Sequence, residues 1–264
     1  MKLTEQDIQA FHRDGYLICP DVFTRDEVKV LNDEVSDIIK NHLDRPEVSL
    51  EKHGKTPRLI YGADRYSDPF AALVRHPRWL NPAKAILDSD VYIHQLRINP
   101  KAAFQGGSFW WHQDFSTWHF EDGMPTSNAL MIAVFLDDIH TINGPLMVIP
   151  GSHRYGEIQQ RVPNQDSTGY TIMDIDPDVV SDLADKGGIV PLTGSAGSIM
   201  FMHCNLMHAS AGNVTPMPRT IVYINANSVN NAPLNKKRAS HHCNYDFTPL
   251  QPLKDDCLVA YKTT

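Results

Sequence analysis

Cysteine is scarce. The four residues at 19, 204, 243 and 257 show no Cys-x-x-Cys spacing in a chain of 264, too few and too irregular for a disulfide framework, which points to a reducing compartment. Long hydrophobic runs are missing as well. The longest, Ala129 to Leu136, is far too short to cross a bilayer, and the polar start Met1-Lys2-Leu3-Thr4-Glu5 has no apolar signal core. A cytoplasmic protein with no membrane partner is expected. Positive charge is also in short supply: 24 Lys and Arg against 31 Asp and Glu leave a net charge of −7, which argues against a nucleic-acid platform. The one dense basic run, Lys236-Lys237-Arg238, reads as a solvated loop. What remains, 42% hydrophobic and 21% charged residues without repeats or low-complexity tracts, is the make-up of a folded domain long enough to bury a full core. One domain over 1–264 is expected.

The chain changes character near residue 90. Before it the periodicity is helical: Thr4-Glu5-Gln6-Asp7 looks like a capping box ahead of Ile8, Phe11 and His12, with Gly15 as the stop. Val28, Leu31, Val35, Ile38 and Ile39 stripe a longer helix from Thr24 to Asn41, and Tyr16 to Cys19 reads as a short strand between the two. Asp44 to Pro57 is a polar loop, and Leu73 to Leu87 reads as two short helical pieces because of Pro77 and Pro82. From 91 onward the pattern alternates, with strands expected at 91–99, 108–114, 128–137, 146–149, 198–203 and 219–227. Helices first and short strands afterwards imply a β-sandwich or barrel core, about 91–230, with helical support from 1–90 and a C-terminal tail. The polar stretch Gly156 to Gly188 reads as a lid or binding loop with a helical turn or two near 178–184.

In a strand, side chains two residues apart share a face, so His112 and Asp114 converge on one point. A distant His208 would complete a two-histidine, one-carboxylate face that leaves half of an octahedral metal open. Arg219, 11 residues after His208 and at the head of a strongly alternating strand, can share that pocket. Its planar guanidinium suits the far carboxylate of a dicarboxylate oxo-acid. Gln95, Arg97 and Asn99 form a polar strand face opposite Tyr92, His94, Leu96 and Ile98. Taken alone that face would be solvated; beside a metal strand it becomes a polar lumen.

The run His112-Gln113-Asp114-Phe115-Ser116-Thr117-Trp118-His119-Phe120-Glu121-Asp122-Gly123-Met124-Pro125 resembles the signature of ectoine hydroxylases within the phytanoyl-CoA dioxygenase superfamily. Asn143-Gly144-Pro145-Leu146, Ile149-Pro150-Gly151-Ser152-His153, His208-Ala209-Ser210 and Pro218-Arg219-Thr220 continue the likeness. Leu50-Glu51-Lys52-His53-Gly54-Lys55, Val74-Arg75-His76-Pro77 and Val91-Tyr92-Ile93-His94-Gln95 are also similar to bacterial free-proline 4-hydroxylases. The resemblance implies a double-stranded β-helix, a jelly-roll or cupin-like barrel, with Fe(II) on His112, Asp114 and His208. It further implies 2-oxoglutarate and O2 as cosubstrates, Arg219 on the far carboxylate of 2-oxoglutarate, Gln95 and Asn99 lining the pocket, and Trp118 packed on a small substrate. Asp114 favours hydroxylation, since related halogenases lack that carboxylate.

Two departures bear on the substrate. Met131 stands where ectoine hydroxylases carry a serine, and Ala226 replaces a tyrosine ahead of Asn227-Ser228. These steer the expectation toward hydroxylation of an unactivated C–H bond of a free amino acid, L-proline at its 4-position first. The alternative is 5-hydroxylation of ectoine or attack on another small zwitterion, and the acidic balance speaks against an acyl-CoA. Arg97, Arg65 and Asn227 are candidate substrate contacts. His153 and His203 read as structural. Two rivals stay open, a non-catalytic 2-oxoglutarate-sensing barrel and a zinc hydrolase on the same three ligands, and a homodimer is also left open.

Overall fold

A computed structural model describes residues 1–162, 174–235 and 237–262. Thr4 and Thr24 cap α1 (Glu5–Asp14) and α2 (Arg25–Asn41): each hydroxyl accepts from the third helical N–H, and the Asp7 or Glu27 carboxylate there accepts the cap residue's own N–H. β1 (Tyr16–Cys19) lies between them, β2 (Val48–Leu50) and β3 (Pro57–Tyr61) follow, and then come α3 (Asp68–Leu73) and α4 (Pro77–Leu87). The break between α3 and α4 falls at 74–76, where His76 caps ahead of Pro77; Pro82 lies inside α4 rather than dividing it, leaving the Arg78 carbonyl without that helical donor.

The β-rich part comprises β4 (Val91–Lys101), β5 (Phe109–His112), the short α5 (Asp114–Thr117), β6 (Ala129–Phe135), β7 (Leu146–Val148), β8 (Arg161–Val162) and β9 (Asp174–Ile175). α6 (Pro177–Gly187), β10 (Val190–Leu192), β11 (Ile199–His203), β12 (His208–Ser210) and β13 (Arg219–Ser228) complete it. A seven-stranded sheet of order β1-β11-β6-β13-β4-β3-β2 faces a four-stranded sheet of order β10-β7-β12-β5, and every strand pair is antiparallel. Period-two alternation gives the large sheet two buried faces. Val222, Ile224, Ile98 and Leu96 pack outward against Phe11, Leu31, Trp79 and Leu80 of the helices. Ile221, Tyr223, Met131 and Ala133 face inward with Leu146 and Val148 of the small sheet. This is the expected jelly roll with helical support, and its site lies between the sheets.

The β4–β13 ladder carries one irregularity. Asn225 opposes Gln95 and Ala226 opposes Ile93, so His94 is the extra residue of a bulge. Its carbonyl, freed from the ladder, accepts the Asn244 N–H at 2.8 Å. Its ring meets Asp122 and Trp118, so His94 does not lie on the outer face where plain alternation puts it. Part of the 156–188 stretch forms a small unit of its own, with β8, β9 and α6 enclosing Ile149, Ile158, Ile175, Leu183 and Met207. Residues 163–173 of that expected lid, and Lys236 of the basic run, lie outside the described residues. Among the described residues no helix is long and apolar enough to cross a membrane.

Candidate metal centre and cosubstrate pocket

β5 ends at His112 and β12 begins at His208, and the ladder sets the two residues directly opposite each other, with their rings 4.1 Å apart. Each imidazole is oriented by its own backbone. His112 Nδ1 lies 2.6 Å from the Trp110 carbonyl and His208 Nδ1 3.0 Å from the Leu206 carbonyl. A carbonyl can only accept, so Nδ1 carries the proton and Nε2 keeps its lone pair for a metal. Asp114 is the first residue of α5 rather than part of the strand, but Gln113 is still extended, so the carboxylate returns to the face of His112. Asp114 Oδ1 lies 3.5 Å from His112 Nε2. One ligand atom from each of the three residues falls within 4.8 Å of the others, and all three residues are buried. Gln113 faces the other way and fastens this geometry. It donates to the carbonyls of Asn205 at 2.7 Å and Gly156 at 2.8 Å and accepts the Ile158 N–H at 2.8 Å, tying the two histidine strands and the start of the 156–188 stretch together.

Electrostatics favour a cation between these groups. Burial would raise the Asp114 carboxyl, but the Arg97 guanidinium overrides it and holds the group well below the usual carboxylate range. Arg97 Nη2 and Nη1 bind the two carboxylate oxygens at 2.5 and 3.4 Å, and the guanidinium lies 4.9 Å over the Tyr223 ring. Burial, with His112 alongside, pushes His208 down to about 3, which keeps it in the neutral form a metal ligand requires. Arg97, expected to bind a substrate carboxylate, is thus committed to the carboxylate of the triad.

Arg219 stands further along the same inner face. Its Nε donates to the Gly144 carbonyl at 3.1 Å and its Nη1 to Asn99 Oδ1 at 2.9 Å, while Asn99 itself donates to the Arg58 carbonyl at 2.7 Å. Among the described residues Arg219 Nη2 is buried with no hydrogen-bond partner, with the Tyr223 side chain beside the guanidinium; this is costly unless an anion is bound there. Lys101, directly across the ladder, is also buried and donates to Ser210 Oγ at 2.9 Å and the Ala211 carbonyl at 2.6 Å. Burial and the neighbouring Arg219 and Arg58 push its ammonium well below the ordinary lysine value. Glu51 is paired with Arg58 at 3.1 Å, and Asp137 accepts the Thr220 N–H at 2.7 Å beside Arg219. Sequence reasoning missed Lys101, although it continues the Gln95, Arg97, Asn99 alternation by one more step. A cavity beside the two histidines is walled by Leu59, Tyr61, Phe109 and Leu146 and carries Arg97, Asn99, His112, His208, Ser210 and Tyr223.

The remaining expected residues divide. Gln95 is buried on the inner face, donating to the His242 carbonyl at 2.8 Å and accepting from Asn225 at 3.1 Å. Trp118 is buried edge-on against His94, ring centroids 5.1 Å apart. Arg65 does not reach the cavity; it ties down the C-terminal segment through Ser240 Oγ at 2.8 Å and Asn244 Oδ1 at 3.3 Å. Asn227 is consumed in a latch with Tyr92 Oη, the Asn231 carbonyl and the Asn231 amide, at 2.8, 2.8 and 2.9 Å. Ala226 packs in the outer core against the helices, so the tyrosine-to-alanine departure leaves the pocket unchanged. Met131 is on the inner face, opposite Asn225. His153 and His203 pair with each other, rings 5.1 Å apart, beneath α1 and away from the triad. A second cluster, His94, Asp122 and Cys243, also lies within metal-ligand distances. Its carboxylate is already taken by Arg238 through two nitrogens and by His94 Nε2 at 3.1 Å, which makes it a structural knot fastening the C-terminal segment.

Comparison with known proteins agrees with this architecture. Residues 11–221 match the model of the phytanoyl-CoA dioxygenase (PhyH) family. The ectoine dioxygenase of Bordetella bronchiseptica is 40% identical over 236 residues, covering 87% of this chain and 77% of that protein. The ectoine dioxygenase of Sphingopyxis alaskensis is 37% identical over 238 residues, with the same coverage of 87% and 77%. The crystal structure of EctD from S. alaskensis with 2-oxoglutarate and 5-hydroxyectoine superposes with a TM-score of 0.84 at 34% identity, covering 95% of this chain and 87% of that one. The form of that enzyme with bound Fe gives 0.83. The chain belongs to the phytanoyl-CoA dioxygenase family and is an Fe(II)/2-oxoglutarate-dependent dioxygenase.

Proposed function

We propose that the chain, acting as one domain, hydroxylates ectoine or a closely related small zwitterion, with Fe(II) held by His112, Asp114 and His208 and the far carboxylate of 2-oxoglutarate held by Arg219. The observation that carries the cosubstrate assignment is the buried Arg219 Nη2, without a hydrogen-bond partner among the described residues, on a guanidinium bonded to Asn99, which lines one cavity with His112 and His208. Substrate choice rests on relatives named for ectoine at up to 40% identity, together with the outward placement of Ala226, which removes one of the two grounds for preferring proline. The relatives favour the ectoine alternative over the free-proline reading.

When bound, the iron with 2-oxoglutarate and O2 supplies the oxidising power that inserts one oxygen atom into a C–H bond, with succinate and CO2 as coproducts. The protein's own work is positional. The backbone carbonyls at Trp110 and Leu206 fix the imidazole orientations. Arg97 keeps Asp114 ionised and holds both of its oxygens in one plane. Asn99 and the Gly144 carbonyl aim Arg219, and Lys101 lies across the ladder from it. Leu59, Tyr61, Phe109 and Leu146 give the cavity apolar walls. Mass spectrometry of ectoine incubated with the purified protein, Fe(II), 2-oxoglutarate and O2 tests this: a product heavier by one oxygen atom is expected. Its absence, with oxidation of another zwitterion in a parallel screen, would overturn the substrate.

A further inference from the structure

The inner face of the large sheet is a ladder of rows. Arg219 pairs across it with Lys101, Ile221 with Asn99, Tyr223 with Arg97, and Asn225 with Gln95. Each row is two residues, roughly 7 Å, from the next. Arg97 marks the row of the metal carboxylate. With the far carboxylate of 2-oxoglutarate on Arg219, as proposed above, the side of the metal row left for substrate would be the opposite one, where the next row is Gln95 and Asn225.

The hydrogen bonding of that row fixes what it offers. The His242 carbonyl can only accept, so Gln95 must turn Nε2 toward it, at 2.8 Å, and present Oε1 to Asn225. Asn225 must then spend Nδ2 on Gln95 Oε1, at 3.1 Å. Its Oδ1 is left over, in a fully buried residue, with no hydrogen-bond partner among the described residues. Both amide orientations follow from one backbone carbonyl, and the row ends in an acceptor. A buried carbonyl oxygen without a donor is costly, and it persists most simply where a ligand supplies one. Neither carboxylate nearby competes for that donor: Asp114 is held by Arg97 and Asp122 by Arg238 and His94.

We propose that Asn225 Oδ1 is a substrate-recognition group that accepts a hydrogen bond from a protonated nitrogen of the substrate, in ectoine an amidinium N–H, and so selects small zwitterions that carry such a donor. This rests on the substrate class proposed above. Asn225→Leu removes the acceptor at near-constant volume. It is expected to raise the KM for ectoine roughly 10–100-fold, the loss associated with one buried hydrogen bond, while the KM for 2-oxoglutarate stays within twofold. Because the wild-type acceptor is unsatisfied without substrate, the substrate-free variant is expected to melt at or above the wild-type temperature and to lose the rise that ectoine gives the wild type. If Asn225→Leu does not fold, Asn225→Ala carries the same test without added bulk. An unchanged ectoine KM overturns the inference, as does a lower substrate-free melting temperature accompanied by equal losses for both substrates. Failure of the unmodified enzyme to oxidise ectoine overturns the substrate class, and this inference with it.

Discussion

Replacing Arg97 with leucine separates its role as the keeper of Asp114 from a role in substrate binding. The pair is buried, with 9% and 4% of the two side chains exposed, and is held by contacts of 2.5 and 3.4 Å. Removing one member of a buried ion pair leaves the other uncompensated and costs about 3–5 kcal/mol. For a chain of this size that is on the order of 10 °C in melting temperature. The loss depends on pH in a determined direction. Without Arg97, burial lifts the Asp114 carboxyl above its unfolded value, so the folded variant holds a proton that the unfolded chain releases, and its stability falls as pH rises. The deficit relative to wild type is therefore larger at pH 8 than at pH 5. Anaerobic Fe(II) supplies the missing positive charge, and its stabilising effect is expected to be greater in the variant than in wild type. Thermal melts at both pH values, with chelator and with Fe(II), measure all three quantities. A variant that melts within about 1 °C of wild type throughout, a difference of less than about 0.5 kcal/mol, would refute the reasoning.

Two further perturbations test other parts of the account. Arg219→Lys keeps a charge but loses the fork, and is expected to raise the KM for 2-oxoglutarate roughly 10–100-fold with little change for ectoine, as read by initial rates. His203 is held down to about 4 by burial and by His153. It stays neutral in the fold while the unfolded chain takes up a proton near pH 6.5. That contribution is complete above pH 6.5 and is lost as pH falls toward 4, about 2 kcal/mol by pH 5. His203→Gln is expected to flatten the melting profile between pH 7 and pH 5, and an unchanged slope would assign the acid sensitivity elsewhere.

Much of the site was legible because strand periodicity is a local property. Gln95, Arg97 and Asn99 share a face by counting in twos, and the same count extends to Lys101. From Arg219 it runs through Ile221, Tyr223 and Asn225 and puts Ala226 on the outer face, where the structure has it. The substrate reading drawn from Ala226 set that alternation aside. His94 could not be placed this way, because the bulge that turns it inward is a relation between two strands and leaves no mark on either one. Arg97 and Arg65 carry the same guanidinium. Which of them meets Asp114 and which meets Ser240 is decided by tertiary contacts 17 and 175 residues apart in sequence. The helices were clearer in outline, since capping boxes at Thr4 and Thr24 are written in four consecutive residues.

The most direct test of the central claim follows both atoms of isotopically labelled O2 during turnover of ectoine. The account predicts label in the hydroxylated product and in succinate, one atom each, with product formation lost in Asp114→Ala. Label absent from both, or product formation that survives Asp114→Ala, would contradict it.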